Sequence, residues 1–456
     1  MTEQGLRWTA EQVLALAPDA ASRKAGSRLG AAGPWSEAGS GEGTVWGLCK
    51  GSGSRPYQTV VDLADAAGPA YKCSCPSRKF PCKHALGLLL LWADGEGAGG
   101  AVPVVAEPPD WAGQWLAGRR RRAEHRQEEG GGSSQPGSAD PEAARRRAER
   151  RAERVTAGAT ELEQRLSDLL RGGLAAAEQA GYGLWEETAA RMVDAQAPGL
   201  AARVRELGAI PASGPGWPAR LLEECALLHL LDQGWLRRDR LPAALAATVR
   251  SRLGLPASAE GPPVRDRWLV LAQYDTVDTK LTTRRIWLHG AESGHTRLLL
   301  SYGAAGRAPE LSLPVGLALE ADLSDFPGAG QARAALGGQY APPAPTALRP
   351  PGLTTAEAAA RYGEALCADP WLDSVPVTLG RVVPAPDGER GGWQLADADA
   401  DSALPLSPAA RSRPGLWRLV ALSGGAPVTV FGECGHRGFT PLTAWPQGPG
   451  APVTLC

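Results

Sequence analysis

The sequence predicts an α+β protein that is divided into several domains. Its 456 residues exceed what one ordinary hydrophobic core accommodates, since a domain typically holds about 100 to 200 residues. Apolar residues recur at helical spacing through residues 143–256, whereas residues 264–456 contain runs of β-branched and aromatic residues separated by Gly, Pro and Asp. We therefore expect an N-terminal unit in residues 1–95, a central helical domain in residues 143–256 and a C-terminal β-rich domain in residues 264–456.

Charge and hydrophobicity exclude several classes of protein. The 48 Lys and Arg residues nearly balance the 49 Asp and Glu residues, so no overall field attracts the whole molecule to nucleic acid or to a membrane surface. The N-terminus contains Glu3 and Glu11 and lacks the basic and apolar segments of a signal peptide. The longest apolar run, Ala85–Ala93, is too short to cross a bilayer core of about 30 Å. The sequence thus predicts a soluble, cytoplasmic protein without a membrane partner.

The N-terminal unit is predicted to begin with helices and to continue with strands. Residues 9–30 have helix-forming composition, but Pro18 interrupts the pattern, so we expect two short helices, the first capped by Thr9. Residues 43–75 show the composition of a small antiparallel sheet of three strands. A leucine-rich segment follows and predicts a helix. The core of this β-β-β-α unit is therefore placed at residues 43–94.

Three cysteines and one histidine in this unit have the spacing of metal ligands. Cys73 and Cys75 are one residue apart, so on an extended strand both side chains point to the same face. Cys82 and His84 follow after a loop that two prolines stiffen. Three thiolates and one imidazole favour zinc, and a fourth protein ligand leaves no coordination position for water. We therefore predict one structural Zn²⁺, because a disulfide between positions i and i+2 would be strained.

The pattern Cys73-x-Cys75, six residues, Cys82-x-His84, with strands before it and a leucine-rich helix after it, resembles the SWIM zinc finger family. The resemblance covers residues 43–94 and implies that the same four residues are the zinc ligands. SWIM modules are thought to bind DNA or proteins, so the resemblance implies a binding module rather than a reaction. The whole chain is similar to bacterial SWIM-finger proteins of high-GC, actinomycete-like composition.

Four basic residues, Lys72, Arg78, Lys79 and Lys83, surround the predicted ligands in sequence. They either moderate the thiolate charge or face outward toward a phosphate or an acidic partner. The leading interpretation is a zinc-finger adaptor that binds a protein or a nucleic acid. The alternative is an enzyme with an unrecognised active site in residues 155–456, for which the finger serves as the targeting module. A deep pocket lined by perturbed acids or histidines would favour that alternative.

Residues 96–142 are interpreted as a linker that contains a basic run, with a flexible Gly/Ser-rich segment near residues 127–141. The arginine runs Arg119–Arg122 and Arg145–Arg154 could contact phosphates, but glutamates are interleaved with them. That interleaving favours solvated helix faces with ion pairs between positions i and i+4. Trp111 and Trp115, which are one helical turn apart, are expected to pack on their own domain rather than stack on bases.

Several acidic residues and one histidine in the second half could in principle act in catalysis. His229 lies near Glu224 and Asp232 on a helical stretch, but its leucine neighbours predict a packed histidine. Asp275 and Asp278 follow a predicted strand, but no third acid or histidine has a helpful spacing. The sequence therefore contains no catalytic motif that we recognise.

The remaining cysteines do not form a second metal motif. Cys434 and His436 repeat the spacing of the last two predicted ligands, but no second pair lies near them in the sequence, so we interpret them as incidental. Cys225 and Cys367 are predicted to be small residues of the core.

The C-terminal half is predicted to contain mostly strands and one helix. The helix is the segment TTAEAAARYGEALCADP (354–370). The predicted strands are RWLVLAQY (267–274), RRIWLHG (284–290), TRLLLSY (296–302), VPVTLGRVV (375–383), LWRLVAL (416–422) and PVTVFGEC (427–434).

Overall fold

Helices and three antiparallel sheets make up the molecule, which confirms the predicted α+β class. The computed structural model describes residues 7–51, 55–64, 68–77, 79–95, 102–129, 141–175, 177, 181–278, 281–304, 309, 311–330, 332–388, 392–448 and 450–456. The first sheet belongs to the N-terminal unit, and a set of helices separates it along the sequence from the other two sheets.

Two short helices begin the described chain, as the sequence predicts. Helix α1 (Ala10–Ala15) starts after Thr9, whose hydroxyl accepts a hydrogen bond from the N–H of Gln12, while the Gln12 side chain accepts one from the N–H of Thr9. Helix α2 (Ala20–Ser27) starts after Asp19, whose carboxylate caps it. These caps satisfy N–H groups that have no partner within the helix.

The first sheet has four strands that pair in chain order. They are β1 (Trp35–Gly41), β2 (Thr44–Cys49), β3 (Tyr57–Asp62) and β4 (Ala70–Cys73). Helix α3 (Lys83–Ala93) follows and packs against the sheet and α2 with its leucines buried. Strand β1 lies outside the predicted sheet of residues 43–75. Its sequence, WSEAGSG, lacks the apolar alternation that predicts a strand, and its pairing with β2 is interrupted by a bulge.

Part of the predicted linker is folded onto this first sheet. Helix α4 (Asp110–Glu129) packs Ala112 and Leu116 against Trp46 and Val60 of the sheet. These two α4 residues are four positions apart and therefore lie on one face of the helix. The structure thus corrects the interpretation of residues 102–129 as a linker, while the Gly/Ser-rich residues 130–140 lie outside the described residues. The same cluster is covered by Trp111 and Trp115, which are partly buried as predicted.

The central part of the chain is helical, as predicted. Its helices are α5 (Pro141–Gly172), α6 (Gly181–Asp194), α7 (Pro198–Ala209), α8 (Trp217–Leu236) and α9 (Ala243–Arg252), with a 3₁₀ turn at Arg238–Arg240. Helices α5 and α8 pack against each other around Trp235, which is fully buried. The indole Nε1–H of Trp235 donates to the hydroxyl of Thr156 at 3.1 Å, so the buried ring has its polar atom satisfied.

Two six-stranded sheets form the C-terminal part. The second sheet contains β5 (Val264–Val277), β6 (Leu281–Gly290), β7 (Thr296–Ala304), β8 (Leu317–Asp325), β9 (Ala334–Gln339) and β10 (Ala344–Pro345), in the order β10-β8-β5-β6-β7 with β9 paired to β8. The third contains β11 (Ser374–Asp387), β12 (Gly392–Asp397), β13 (Ala403–Pro405), β14 (Val428–Gly435), β15 (Gly438–Trp445) and β16 (Val453–Thr454), in the order β13-β12-β11-β14-β15-β16.

Three helices accompany these sheets, and one of them replaces a predicted strand. They are α10 (Thr355–Ala368), α11 (Pro408–Arg411) and α12 (Gly415–Ser423). Helix α10 was expected, but the prediction of a strand at residues 416–422 is wrong. Within α12, Leu416 and Leu419 are buried and the positions between them are exposed, which is helical spacing. A short apolar run does not by itself distinguish a strand from a helix.

One continuous cluster of buried side chains joins the N-terminal unit to the second sheet. It includes Val13 of α1, Leu89 of α3 and Trp268 of β5. The side-chain amide of Gln12 donates to the carbonyl of Val315 at 3.2 Å within the same region. The first hundred residues therefore share their core with strands that lie more than 150 residues further along the chain.

The helical bundle is joined to the C-terminal part by a buried contact. Trp371 precedes β11 but belongs to the core of the bundle, and its indole N–H donates to the carbonyl of Leu227 at 2.9 Å. Beside it, Arg252 at the end of α9 forms an ion pair with the fully buried Asp369 at 2.6 Å. This contact fixes the junction between the two parts.

Candidate metal centre

The four predicted ligands are brought together by one strand end and one helix start. Strand β4 ends at Cys73, and Cys75 follows two residues later in the loop. Cys82 occupies the position immediately before the first residue of α3, and His84 lies in the first turn of that helix. Because α3 is anchored by its buried leucines, the second pair of ligands is fixed in front of the first pair.

The donor atoms fit a single tetrahedral zinc ion. One donor atom from each of Cys73, Cys75, Cys82 and His84 lies within 4.8 Å of the others. The distance from Cys73 Sγ to His84 Nδ1 is 3.6 Å. Zinc bonds of about 2.3 Å to sulfur and about 2.0 Å to nitrogen predict an edge of about 3.6 Å between these two atoms. Cys82 and His84 are buried, so four protein donors close the site and the zinc is structural.

The local electrostatics favour thiolate at the start of α3. The pKa of Cys82 is lowered because the thiol of Cys73 hydrogen-bonds to its sulfur, with further help from the backbone N–H groups of Ala85 and His84. The pKa of Cys73 is raised by the same interaction and by burial. A helix N-terminus favours negative charge, so the start of α3 also stabilises the thiolate of Cys82.

Two residues of β3 support the ligands, and sequence reasoning did not find them. The hydroxyl of Thr59 lies 3.3 Å from Cys73 Sγ, directly across the sheet in the register of β3 and β4. The ring of Tyr57 packs on the ring of His84 with centroids 4.7 Å apart. Tyr57 and Thr59 are two positions apart and share one face of the strand, so strand alternation could have identified them once the register was known.

The predicted partner-binding residues have different environments. Lys72 and Lys83 are exposed, and no carboxylate of the described chain lies within ion-pair distance of either. Lys79 instead donates to Asp19 at 2.6 Å. This hydrogen bond, together with that from the N–H of Ser22, lowers the pKa of Asp19 to about 2. Lys79 is thus engaged within the molecule, and Arg78 lies outside the described residues.

A groove of about 580 Å³ lies beside the metal ligands. Helix α2 forms one wall, and the metal-binding loop and the start of α3 form the other. Lys50 and Lys83 line it together with the rings of Tyr57 and His84. The groove therefore combines two cations with aromatic surface next to the zinc site.

This four-stranded sheet with a closed three-cysteine, one-histidine site defines a zinc-finger protein. Residues 57–93 match the SWIM zinc finger, and residues 150–253 match the SWIM-associated four-helix bundle domain. The prediction of a SWIM-type zinc finger protein is confirmed, as is the prediction of one structural Zn²⁺. The second match lies in the helices of the central part, which the sequence did not assign to a family. Neither a curated protein nor a solved structure matches the chain significantly.

The two arginine runs form ion pairs with neighbouring carboxylates. In the first run, Arg119 pairs with Asp62 at 3.2 Å, so this run contacts the first sheet rather than forming only i,i+4 pairs. In the second run, Arg145 pairs with Glu149 at 2.8 Å in the predicted i,i+4 arrangement. These contacts favour the interpretation of the runs as structural and solvated faces.

The cysteines and acids outside the finger have mostly structural environments. Cys225 is buried as predicted, but Cys367 is exposed, so its prediction as a core residue is wrong. Cys367 lies on the solvent side of α10, so the apolar residues next to it in the sequence do not indicate that it is buried. Asp275 forms a two-bond ion pair with Arg284. Cys434 is buried in β14, and among the described residues it joins no metal-ligand cluster.

The histidine at position 229 of the bundle is exposed, whereas the aspartate at position 232 is buried. The side chain of His229 is 57% exposed and donates to Glu163 at 2.7 Å, so the prediction of a packed histidine is wrong. Asp232, one turn further on α8, is fully buried, and its two carboxylate oxygens meet no hydrogen-bond donor in the described chain. Its pKa is raised to about 9, first by burial, second by the negative charge of Glu163 and third by a hydrogen bond that the protonated carboxyl donates to Glu163.

Replacement of Asp232 by asparagine is expected to stabilise the bundle at neutral pH. The folded state raises the pKa of Asp232 above its unfolded value, so folding takes up a proton between about pH 4 and pH 9, and stability falls as the pH rises through this range. Between about pH 4 and pH 7 the loss is up to roughly 4 kcal/mol, and Asp232→Asn removes it. Thermal unfolding of parent and variant across this range measures the difference. Equal Tm values of parent and variant at pH 7 would contradict a raised pKa of Asp232.

The described part of the chain offers no helix that is both long and apolar enough to cross a membrane. The longest helix of the described residues, α5, begins with a charged segment in which glutamates are interspersed among arginines.

Proposed function

We propose that this chain is a non-catalytic adaptor whose zinc finger presents a basic face to a polyanionic partner, nucleic acid or an acidic protein. The observation that carries the proposal is the groove beside the closed zinc site, in which the exposed Lys50 and Lys83 lie together with the ring of Tyr57. A closed site leaves the metal no position for substrate, so the zinc supplies stability and the surface supplies recognition.

The distribution of lysine supports this proposal. The chain contains six lysines, and five of them lie between Lys24 and Lys83, although the chain is nearly neutral as a whole. Lys50 and Lys83 line the groove beside the ligands, where Tyr57 adds an aromatic ring. Lysine is a compact, mobile cation that suits contacts to phosphate or carboxylate groups of varied geometry.

Substitution of the two groove lysines is expected to weaken binding to duplex DNA. Lys50→Ala/Lys83→Ala should lower the affinity by about tenfold and the slope of log affinity against log salt by about two, since each lost phosphate contact reduces that slope by roughly 0.9. Fluorescence anisotropy with a labelled duplex of mixed sequence at several salt concentrations measures both quantities.

A matched control removes the same charge from the helical bundle. Arg240 and Arg250 are exposed, and Arg240→Ala/Arg250→Ala should leave the affinity and the salt slope unchanged. If the two double variants lose affinity equally, binding is not specific to the finger. If the parent binds no duplex but binds an acidic peptide through Lys50 and Lys83, the partner is a protein.

The alternative of an enzyme is favoured by one cavity. A cleft of about 820 Å³ lies between α7, α8 and the turn from β14 to β15. Burial raises the pKa of Glu206, which lines it, and the charge of Glu224 adds to this effect. Ser407 hydrogen-bonds to Thr440 at 2.8 Å rather than to His436, whose Nδ1 lies 3.3 Å from the hydroxyl of Tyr362. The cleft therefore has room for a ligand, but His436 does not activate Ser407.

A further inference from the structure

Helices α5 and α8 are linked by a group of polar side chains around Glu163 of α5. The side chain of Glu163 is 17% exposed. Two residues of α8 donate to its carboxylate, His229 through Nδ1 at 2.7 Å and Gln233 through its side-chain amide at 2.8 Å. Asp232 lies between them in the sequence and is fully buried. These four residues are called the Glu163 cluster.

The hydrogen bonds of the cluster place the negative charge on Glu163 and a proton on Asp232. Both donors from α8 are directed to Glu163, and no donor of the described chain reaches either oxygen of Asp232. An ionised carboxylate that is buried without a donor is strongly unfavourable. A protonated Asp232 avoids this cost and donates its O–H to Glu163. The two carboxyl groups therefore share one proton and one negative charge.

Charged residues elsewhere on the helices that pack against α8 interact with other groups. They are Glu161 and Arg165 of α5, Arg203 and Glu206 of α7, Glu224 of α8, and Arg250 and Arg252 of α9. The first two pair with each other, the next three line the cleft beside the third sheet, and the last two are exposed or paired with Asp369. The titratable groups that face Asp232 are thus Glu163 and His229, and the charge that opposes its ionisation is that of Glu163.

The bundle that contains the cluster has a hydrophobic core of its own. This core consists of residues from the bundle and Trp371, and it is separate from the cores of the three sheets. Asp232 lies three residues before Trp235, which is buried in this core and donates to Thr156 of α5. Separation of α5 from α8 therefore exposes the core of the bundle and leaves the cores of the sheets in place.

We propose that the Glu163 cluster is a proton-dependent switch, which holds α5 against α8 while Asp232 carries its proton and allows the bundle to open separately from the sheets when that proton is lost. Without the proton, two carboxylates lie side by side in a largely buried place, and Glu163 loses one of its donors. Both groups regain water only when the helices separate. A rise in pH therefore favours the open bundle.

The pH range of the switch follows from the two states of Asp232. In the closed bundle its pKa is about 9. In the open bundle water reaches the carboxyl group, and the pKa returns to its ordinary value of about 4. Opening therefore releases one proton, so the equilibrium constant for opening rises about tenfold per pH unit between these two values and is constant above them.

Hydrogen exchange of backbone amides in the full zinc-loaded chain tests this switch, with each rate corrected for intrinsic exchange at the same pH. In the parent, the protection of residues 228–235 of α8 is expected to fall about tenfold per pH unit from about pH 5 to about pH 8. The protection of β14 in the third sheet should stay constant over this range. Asp232→Asn should abolish the slope in α8, because a carboxamide has no proton to lose and can still donate to Glu163.

Two further variants separate the shared proton from other causes. Glu163→Gln removes the neighbouring charge and offers Asp232 an N–H donor, so the slope should end at a lower pH than in the parent. Asp168→Asn is the matched control, since it removes a carboxylate of α5 whose side chain is 78% exposed. It should leave the slope as in the parent.

Any of three results would overturn the proposal. The first is protection of α8 that does not change with pH in the parent, which means that opening releases no proton. The second is a parental slope in Asp232→Asn or in Glu163→Gln, which assigns the proton to a group outside the pair. The third is a parallel loss of protection in α8 and β14, which means that the bundle and the third sheet unfold as one unit.

Discussion

Loss of two zinc thiolates is expected to reduce the metal content from one zinc per chain to none and to unfold the finger. The double variant Cys73→Ser/Cys82→Ser leaves Cys75 and His84, which cannot hold a structural zinc ion by themselves. Metal binding at such sites contributes on the order of 10 kcal/mol of folding free energy. Elemental analysis of the purified protein measures the zinc content, and hydrogen exchange of the amides of α3 measures the unfolding.

Two single variants serve as controls for this result. Cys367→Ser replaces an exposed cysteine far from the finger and should retain one zinc. Cys49→Ala replaces a fully buried cysteine whose pKa is raised by burial near the site and which does not belong to the ligand cluster. It should also retain one zinc, although it creates a small cavity. Zinc in the double variant, or an α3 that stays protected without zinc, would contradict the assignment of a structural metal.

Replacement of Asp369 by alanine is expected to destabilise the junction between the bundle and the C-terminal part by about 3–5 kcal/mol. The change leaves Arg252 largely buried without its counter-charge, and that uncompensated charge is the main cost. It also removes the acceptor of the Trp371 backbone N–H. For a unit of about 200 residues the corresponding decrease in Tm is about 10 °C. Differential scanning calorimetry measures it.

An exposed ion pair of the same residue types provides the comparison. Arg381 and Asp399 pair at 2.6 Å, but both side chains are more than half exposed. Asp399→Ala should therefore lower the Tm by only a small fraction of the decrease caused by Asp369→Ala. Equal effects of the two substitutions would show that burial does not determine the strength of the Arg252–Asp369 pair.

The zinc ligands could be predicted from the sequence because they depend on local spacing. Cys73 and Cys75 share a strand face, and the start of α3 fixes Cys82 and His84, so no long-range information is needed. The supporting Thr59 could not be predicted in the same way. Its position next to Cys73 depends on the register between β3 and β4, which a single sequence does not specify.

Other differences also come from tertiary contacts. Strand β1 is polar and glycine-rich, and it is a strand because it pairs with β2 rather than because of its own propensity. Asp232 is a charged residue in a helical pattern, which predicts exposure, but the packing of α5 against α8 buries it. Trp417 shows the opposite, since a tryptophan in an apolar run predicts burial and the structure exposes it.

The core shared by the N-terminal unit and the second sheet affects the order in which the chain can fold during its synthesis. The contact from Gln12 to Val315 spans 303 residues. At a translation rate of about 5–20 residues per second, the ribosome needs about 15–60 s to make that intervening chain. The finger emerges long before the strands that complete its core. Zinc bound to the nascent finger would hold α3 against the first sheet during this interval. The apolar surface of the finger that packs on the second sheet would stay exposed until the C-terminal half is made.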